Sequence, residues 1–211
     1  MTSTADPVQI ASRRRPLRIG LTGSIATGKS TTAQMFADEG IPVHDSDASV
    51  HALYREEGVE PVRRLIPQAI IDGVVDRATL KDELAKDPGL LAKLEAIVHP
   101  LVQARADAAA EQAHNDGHRM IVFDIPLLFE TGAEDRFDQI VVTFCDDDEQ
   151  MRRLMARPTM TIETARMLLE RQMPQADKRA RADFTIDTGG GIDAARMAVR
   201  SILNELSARA Q

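Results

Sequence analysis

Several features that would assign this chain to a common class of protein are missing from its sequence. Tryptophan is absent and aromatic residues make up only 3% of the 211 residues, so base stacking on single-stranded nucleic acid is not an expected role. No apolar run reaches the roughly 20 residues that a membrane-spanning helix needs. The single cysteine, Cys145, has no partner for an internal disulfide, which is typical of proteins from a reducing cytoplasm.

The balance of charge excludes a further class, the general nucleic-acid binders. The formal net charge is −7, and a chain of that sign is repelled by a phosphate backbone. Charged residues make up 28% and hydrophobic residues 43% of the chain, which is typical of a soluble globular protein. We therefore expect neither a nucleic-acid partner nor a membrane partner.

Five short apolar runs have the length of buried strands. Three are clear and two are weaker: residues 17–22, 120–123 and 140–144, then 42–44 and 184–186. Continuous apolar runs of this kind favour a parallel sheet that is covered on both faces. Because helical patterns separate the runs, the sequence predicts an α/β fold with a parallel five-stranded sheet flanked by helices.

A long stretch without a convincing strand, residues 56–117, separates the second and third predicted strands. Its leucines recur at helical spacing, and we expect Pro100 to break that pattern or to begin a new helix. We interpret the stretch as a helical insert that contacts a substrate, although a long crossover packed on the sheet would give the same pattern. The core is then predicted to comprise residues 17–55 and 118–211, after a flexible tail at residues 1–16.

Residues 23–30 read Gly-Ser-Ile-Ala-Thr-Gly-Lys-Ser and match the phosphate-binding pattern G-x-x-x-x-G-K-[ST] between a strand and a helix. The glycines allow successive N–H groups to point at one anion, and the positive end of the helix adds to the attraction. Lys29 is expected to reach the β- and γ-phosphates, and the Ser30 hydroxyl to bind Mg²⁺. The motif predicts a P-loop NTPase-type fold. The predicted nucleotide-binding residues are Ser24, Ile25, Ala26, Thr27, Gly28, Lys29, Ser30 and Thr31.

Carboxylates follow two of the predicted strands. Asp45 and Asp47 come after the second strand and Asp124 ends the third, and the carboxyl ends of parallel strands face one crevice. A kinase that acts on a hydroxyl needs a group that orients it and accepts its proton. Asp45 or Asp47 is placed to do so, and either would serve equally as a helix cap. Asp124 is expected to help hold Mg²⁺, with a structural hydrogen bond as the alternative.

A basic segment occurs in this acidic chain. Residues 151–182 contain eight Lys or Arg and three Asp or Glu, so the segment carries +5 and the rest of the chain −12. This segregation is typical of a lid that closes over polyphosphate, and we place the lid at about residues 150–182. Arg153 and Arg157 are four positions apart and can share one helix face. A pair of solvated helices is the alternative interpretation.

Taken together, these motifs resemble the dephospho-CoA kinase family, and the matching residues extend over almost all of the chain after residue 16. Residues 124–130, Asp-Ile-Pro-Leu-Leu-Phe-Glu, are the most specific match, because P-loop proteins at large do not share them. The other matches are residues 21–30, 45–47, Asp76, Arg77, Leu80, His99, Pro100, Gln150, Arg153, Arg157, Arg171, Gln172, Ala182 and Asp183.

The resemblance implies a kinase that moves the γ-phosphoryl group of ATP to the ribose 3′-hydroxyl of dephospho-CoA, with Mg²⁺. It assigns the base to Asp47, phosphate binding to Lys29, and charge neutralisation to Arg153 and Arg157. Residues 56–117 become the CoA-substrate region. The residues expected on the acceptor side are Thr22, Asp45, Arg77, His99, Pro126 and Leu127. We expect a cytoplasmic monomer or small homo-oligomer whose partners are ATP and dephospho-CoA.

Three positions, Ala26, Thr27 and Thr188, depart from the family's pattern. Ala26 and Thr27 replace the usual Gly-Ser, and we expect a small cost if Ala26 keeps a negative φ. Thr188 stands where an asparagine is common, so we assign no adenine contact there. The alternatives are another small-molecule or nucleoside kinase on the same scaffold, and a nucleotide-binding module without turnover. The intact Lys29 and Asp47 argue against the module.

Overall fold

Five parallel strands form the centre of the structure, a computed structural model that describes residues 15–209. The strands of this part of the chain, in chain order, are β1 (Leu17–Gly23), β2 (Val43–Asp45), β3 (Ile70–Ile71), β4 (Val74–Val75), β5 (Met120–Asp124), β6 (Gln139–Phe144) and β7 (Phe184–Asp187). The central sheet has the order β2-β5-β1-β6-β7, and every adjacent pair in it is parallel. The predicted α/β fold with five parallel strands is confirmed.

Helices cover both faces of this sheet. Within residues 15–209 they are α1 (Lys29–Asp38), α2 (Ser46–Leu53), α3 (Val59–Leu65), α4 (Arg77–Lys86), α5 (Gly89–Asn115), α6 (Asp147–Met155), α7 (Ile162–Glu170), α8 (Gln175–Ala180) and α9 (Ile192–Arg209). None of the helices in that range is long and apolar enough to cross a membrane.

The strands at the centre of the sheet are mainly apolar because both faces of the sheet are covered. Leu21 of β1 belongs to one buried cluster with Phe36 of α1 and Val199 of α9. On the opposite face, Phe123 of β5 lies in a second cluster with Ala106 of α5. Successive residues of a strand point to opposite faces, so a strand covered on both sides needs apolar side chains at every position.

The stretch from residue 56 to 117 is mainly helical, as predicted, but the expectation that it contains no strand is wrong. β3 and β4 pair as an antiparallel hairpin whose turn residues, Asp72 and Gly73, have φ values of 50° and 81°. Two positive φ values are typical of a type I′ turn, for which Asp-Gly is a favoured sequence. The signal was therefore present in the sequence, between the apolar pairs Ile70–Ile71 and Val74–Val75.

The insert packs with the end of α2 around a hydrophobic cluster that is separate from the clusters on the sheet. Leu53 of α2, Val62 of α3 and Leu94 of α5 are buried together, apart from the clusters on the sheet. The two-stranded hairpin contributes Val75 to the same cluster. This stretch is therefore a packed unit rather than a single crossover lying on the sheet.

Pro100 neither breaks the helical pattern nor begins a new helix, and that expectation is wrong. α5 is 27 residues long and Pro100 lies in its interior. Proline removes one helical hydrogen bond and crowds the preceding turn, which weakens an isolated helix. Here Val98 packs into the insert and Ala106 onto the sheet, so tertiary contacts on either side of Pro100 hold the helix continuous.

Most of the predicted tail, residues 1–14, lies outside the described residues. Its last two residues are described, and Arg15 donates two hydrogen bonds to the carboxylate of Asp138, at 2.7 and 2.8 Å. These contacts attach Arg15, which lies within the stretch predicted as a tail, to the residue that precedes β6. The Asp138 carboxylate also accepts the backbone N–H of Arg18 at 2.8 Å.

The predicted lid region consists of α6, α7 and α8. α6 begins after Asp146 as expected, although the Asp146 side chain makes no capping hydrogen bond. The end of the region is attached to the core by Glu130, whose carboxylate pairs with Lys178 at 2.9 Å and accepts the N–H of Met173 at 2.9 Å. The Lys178 side chain has no exposed surface, so its charge depends on this one carboxylate.

We predict that Glu130→Gln costs more stability than Lys178→Met. The first variant leaves a fully buried ammonium without a carboxylate, which costs about 3 kcal/mol. The second leaves a partly exposed carboxylate that still accepts the N–H of Met173, and we expect a loss of about 1 kcal/mol. Urea unfolding monitored by circular dichroism measures both free energies of unfolding.

The double variant Glu130→Gln/Lys178→Met should regain part of the loss, because it removes the unpaired charge. Glu205→Gln serves as the control, since it breaks only an exposed pair with Arg209 and should change stability by less than about 0.5 kcal/mol. Equal losses for the two single variants would contradict the assignment of a buried ion pair.

Candidate active site

A cleft of about 550 Å³ lies at the carboxyl edge of the sheet, where β1 passes into α1. It is lined by Gly23, Ser24, Ile25, Ala26, Gly28, Lys29, Ser30, Thr31, Asp47, Pro126, Arg153, Arg157 and Gln172. The cleft thus brings together the predicted phosphate loop, one aspartate that follows β2, and both arginines of the basic segment. Sequence positions more than 100 residues apart meet here because parallel strands end at the same edge.

The phosphate loop presents backbone N–H groups to the cleft. Within residues 15–209, the N–H groups of Ala26 and of residues 28–31 have no hydrogen-bond acceptor in the protein, whereas Thr27 donates its N–H to the Ser24 carbonyl at 3.2 Å. Residues 29–31 are the first of α1, so their N–H groups also carry the positive end of the helix dipole. The arrangement is an anion-binding cradle.

Ala26 adopts a φ of 64°, and the expectation of a negative φ is wrong. Gly28 adopts 83°, which a glycine tolerates without strain. An L-residue in the left-handed region loses roughly 1–2 kcal/mol through contact of its Cβ with the backbone. The loop needs this backbone geometry at both positions, and the sequence supplies a glycine at only one of them.

Thr27 does not line the cleft but connects the loop to the neighbouring strand β6. Its side chain is fully buried, and its hydroxyl hydrogen-bonds with the Ser24 carbonyl at 2.8 Å and the Thr143 hydroxyl at 2.9 Å. Thr143 belongs to β6, the strand beside β1. A Cβ at Gly23 would overlap the Thr143 side chain, so the first glycine of the motif is required by close packing.

Lys29 forms an ion pair with Asp124, and both side chains are largely buried, with 15% and 10% of their surfaces exposed. Burial raises the pKa of Asp124, and the Lys29 ammonium opposes that rise. The carboxylates of Asp45 and Asp47 raise it further. The carboxylates that follow β2 and β5 are therefore close enough to act on one another, as the sheet order predicts.

Asp45, the last residue of β2, and Asp47, in α2, have different roles in the structure. Asp45 lies beside Asp124 in the strand register and accepts the Ala48 N–H at 2.9 Å, which caps α2. Asp47 is in the first turn of α2 and lines the cleft. The alternative of a helix cap thus applies to Asp45, while Asp47 remains available to a ligand.

Arg153 and Arg157 both line the cleft, although only Arg153 lies within α6 and Arg157 follows its end. Arg153 donates to Glu149 at 2.7 Å, to the Thr188 hydroxyl at 2.9 Å and to the Thr188 carbonyl at 2.8 Å. Hydrogen bonds from Arg152 and Arg153 lower the pKa of Glu149 to about 2. Arg153 is therefore oriented before any phosphate binds.

Thr188 has a role that the sequence did not reveal. Its hydroxyl donates to the carbonyl of Thr27 or of Phe144, at 2.9 and 3.1 Å, while it accepts from Arg153. Thr188 directly follows β7, so it joins the last strand to the phosphate loop and to α6. The only signal in the sequence was its departure from the asparagine of the family.

The remaining acceptor-side residues are placed differently from one another. Thr22 is fully buried and its hydroxyl donates to the Pro126 carbonyl at 3.3 Å, so it supports the cleft through Pro126. Leu127 follows Pro126 and is 42% exposed. Arg77 begins α4 and His99 lies in α5, on the insert and outside the lining of this cleft.

A family model and a curated relative identify one family, and solved structures share the fold. A family model described as dephospho-CoA kinase matches residues 17–194. A dephospho-CoA kinase of Agrobacterium fabrum is 52% identical over 190 residues, which cover 90% of this chain and 98% of the relative. The crystal structure of TT1252 from Thermus thermophilus has a TM-score of 0.78 and 35% identity, with coverage of 92% and 99%. Dephospho-CoA kinase from Campylobacter jejuni has a TM-score of 0.70 at 23% identity, with coverage of 92% and 98%, and is similar in fold.

We predict that Ala26→Gly stabilises the protein by about 1 kcal/mol, because glycine removes the cost of a positive φ. For a chain of this size the midpoint of thermal unfolding should rise by about 2–4 °C. Ala104→Gly, at an exposed position of α5, is the control and should lower the midpoint, since glycine is a poor helix former. A fall in the Ala26→Gly midpoint would show that Ala26 is not strained.

Proposed function

This chain belongs to the dephospho-CoA kinase family, and on that premise we propose that it transfers the γ-phosphoryl group of ATP to the ribose 3′-hydroxyl of dephospho-CoA. The hydroxyl oxygen forms a bond to phosphorus, the bond from phosphorus to the ADP oxygen breaks, and the hydroxyl proton leaves. The products are coenzyme A and ADP. The observation that carries the proposal is the meeting of Lys29, Asp47 and Arg153 around one cleft beside the phosphate loop.

The loop binds the triphosphate of ATP in this proposal. The N–H groups of Ala26 and of residues 28–31 have no acceptor in the described part of the protein and donate to phosphate oxygens. Lys29 leaves its ion pair with Asp124 and binds the β- and γ-phosphates. A polyphosphate carries more negative charge than one carboxylate, which favours the exchange of partners.

Asp47 is the proposed base. It accepts the hydroxyl proton and holds the acceptor oxygen in line with the γ-phosphorus. The geometry supports Asp47 over its neighbours, because Asp45 is occupied as the cap of α2 and Asp124 is paired with Lys29. Asp47 alone of the three lines the cleft.

Arg153 and Arg157 neutralise the charge that spreads over the transferring phosphoryl group. Arg153 is held by Thr188 and Glu149, so part of the cost of ordering its long side chain is met before ATP binds. We propose that residues 150–182 form the lid and that it closes around the transferring group, which excludes water from the cleft.

Mg²⁺ fits the residues in and beside this cleft, since Ser30 lines it and Asp124 contacts Lys29, which also lines it. Within residues 15–209 no three His, Cys, Asp or Glu side chains are grouped to hold a metal on their own. Mg²⁺ prefers one or two protein oxygens together with phosphate oxygens and water. We propose that the Ser30 hydroxyl and the Asp124 carboxylate hold the ion, which supplies positive charge to the β- and γ-phosphates.

The acceptor side is assigned to residues 56–117 and to the edge of the cleft beside Pro126. Arg77 and His99 of the insert are proposed to contact dephospho-CoA, with Asp45, Pro126 and Leu127 on the core side and Thr22 in support. We propose a cytoplasmic enzyme that works as a monomer or small homo-oligomer. The chain has a single cysteine, Cys145, and therefore no internal disulfide, which is typical of a reducing compartment.

We predict that the protein forms coenzyme A from dephospho-CoA and ATP with Mg²⁺, and that Lys29→Ala lowers kcat by at least about 100-fold through loss of charge at the phosphates. Mass spectrometry reads the product and nuclear magnetic resonance confirms the 3′ position. Absence of coenzyme A from protein that binds ATP would overturn the proposed acceptor, and a panel of nucleosides and other alcohols would then be screened.

We predict that Asp47→Asn lowers kcat by about 10²- to 10⁴-fold while the Kd for ATP stays nearly constant, because the amide cannot accept the proton. Asp45→Asn is the matched variant, since it removes the same charge two residues earlier and asparagine still caps α2. Its loss of kcat should be much smaller. If Asp45→Asn has the larger effect, the role of base belongs to Asp45.

A further inference from the structure

Two glutamine side chains hold the peptide groups of Ile25, in the middle of the phosphate loop, from opposite sides. The Ile25 N–H donates to Oε1 of Gln172 at 2.8 Å, and the Ile25 carbonyl accepts from Nε2 of Gln150 at 2.7 Å. Gln150 lies in α6 and only 4% of it is exposed, while Gln172 follows α7 and lines the cleft. Ile25 is thus bound through its backbone by both sides of the basic segment.

Gln150 and Gln175 form a series of hydrogen bonds that begins at the Cys145 N–H and ends at the Ile25 carbonyl. These two backbone groups fix which side-chain atom donates and which accepts in each bond. The Cys145 N–H donates to Oε1 of Gln175 at 3.2 Å, and Nε2 of Gln175 donates to Oε1 of Gln150 at 2.9 Å. This leaves Nε2 of Gln150 facing the Ile25 carbonyl. A backbone N–H can only donate and a carbonyl can only accept, so Gln150 acts as a donor to Ile25 and Gln172 acts as an acceptor.

These contacts act on the strained part of the loop. Ile25 directly precedes Ala26, whose φ of 64° is costly for an alanine. A rotation of the intervening peptide would relieve that strain, and it would also turn the loop N–H groups away from the phosphates. Fixing both polar groups of Ile25 opposes such a rotation without using the N–H groups of Ala26 or of residues 28–31.

The same contacts attach the arginine-bearing segment to the loop at both of its ends. Gln150 precedes Arg153 and Arg157 in the chain, and Gln172 follows them. The segment from Gln150 to Gln172 is therefore attached at both of its ends to the same residue of the phosphate loop, Ile25. Displacement of Ile25 and displacement of the segment are coupled, because neither can move far without breaking one of these hydrogen bonds.

We propose that Gln150 and Gln172 are positioning residues, which hold the Ile25 peptide in the geometry that binds phosphate and keep the arginine segment over the cleft. The proposal rests on the proposed function for its turnover readout but not for its binding readout. It predicts that the two glutamines respond oppositely to the same substitution. Glutamate keeps the acceptor oxygen needed at residue 172, whereas it replaces the donor needed at residue 150.

The experiment compares Gln150→Glu, Gln172→Glu, Gln150→Met and Gln172→Met in the full chain. Each is assayed for kcat, for KM of ATP and for the Kd of a non-hydrolysable ATP analogue, with circular dichroism as the check of folding. We expect both Met variants to lower kcat/KM for ATP about 10-fold or more. Gln172→Glu should lose clearly less than Gln172→Met, because glutamate keeps the acceptor oxygen, whereas Gln150→Glu should lose more than about 30-fold.

A pH profile separates positioning from a general structural defect. In the Gln150→Glu variant, protonation of the new carboxylate restores a donor for the Ile25 carbonyl, so its activity relative to wild type should rise as the pH falls. No such rise is expected for Gln172→Glu. Gln112→Glu, on the exposed face of α5, is the control for added charge and should match wild type at every pH.

Several results would contradict the positioning role of the two glutamines. Met variants within about 2-fold of wild type, or equal losses for the two Glu variants without a pH-dependent ratio, would overturn the proposal. If the Gln150 variants do not fold, the two Gln172 variants decide, since Met should be impaired more than Glu, and equal losses for the two would overturn the proposal. If wild type forms no coenzyme A while the variants weaken binding of the ATP analogue in the expected pattern, the proposed function fails and the positioning role stands.

Discussion

The loop that binds phosphate has to remain folded while most of its backbone N–H groups have no partner in the described part of the protein. A segment in that state lacks the hydrogen bonds that normally hold a loop. Here the loop is fixed by other atoms: the Thr27 hydroxyl, the Thr27 carbonyl that accepts from Thr188, and the two polar groups of Ile25. The supporting residues come from β6, from α6, from the segment after α7 and from the residue after β7. Much of the fold around the cleft therefore has one effect: it holds the unpaired backbone N–H groups of the phosphate loop in a fixed position.

Charge in the cleft is divided between two sources. The carboxylates Asp45, Asp47 and Asp124 lie at the ends of β2 and β5 or just beyond, and the arginines come from a separate helical segment. Lys29 pairs with Asp124 and Arg153 pairs with Glu149, so before ATP binds both of these cations already have a carboxylate partner. An acidic core with a basic covering segment attracts polyphosphate only where the two meet, which is consistent with a chain whose overall charge is negative.

The sequence predicted correctly those elements whose signal lies in neighbouring residues. It failed where contacts between residues distant in the sequence determine the local conformation. Short apolar runs identified all five strands of the central sheet, and the glycine–lysine motif located the cleft, because each signal lies in consecutive residues. The continuity of α5 through Pro100 depends on packing at Val98 and Ala106, which no local pattern contains. The positive φ of Ala26 is likewise imposed by the loop as a whole. The hairpin at Asp72 is different, since its Asp-Gly signal was local and was overlooked between two very short apolar pairs.

The length of α5 has a mechanical consequence. Its 27 residues correspond to about 40 Å, and one half is embedded in the insert while the other lies on the sheet. α5 therefore belongs to both the insert and the layer that covers the sheet. Any rotation of the insert relative to the sheet must move the whole helix or bend it. Pro100 lies between the two embedded halves, where one hydrogen bond of the helix is lost. The helix resists bending least at this point. The sequence therefore places the position where α5 bends most easily between the half that packs in the insert and the half that packs on the sheet.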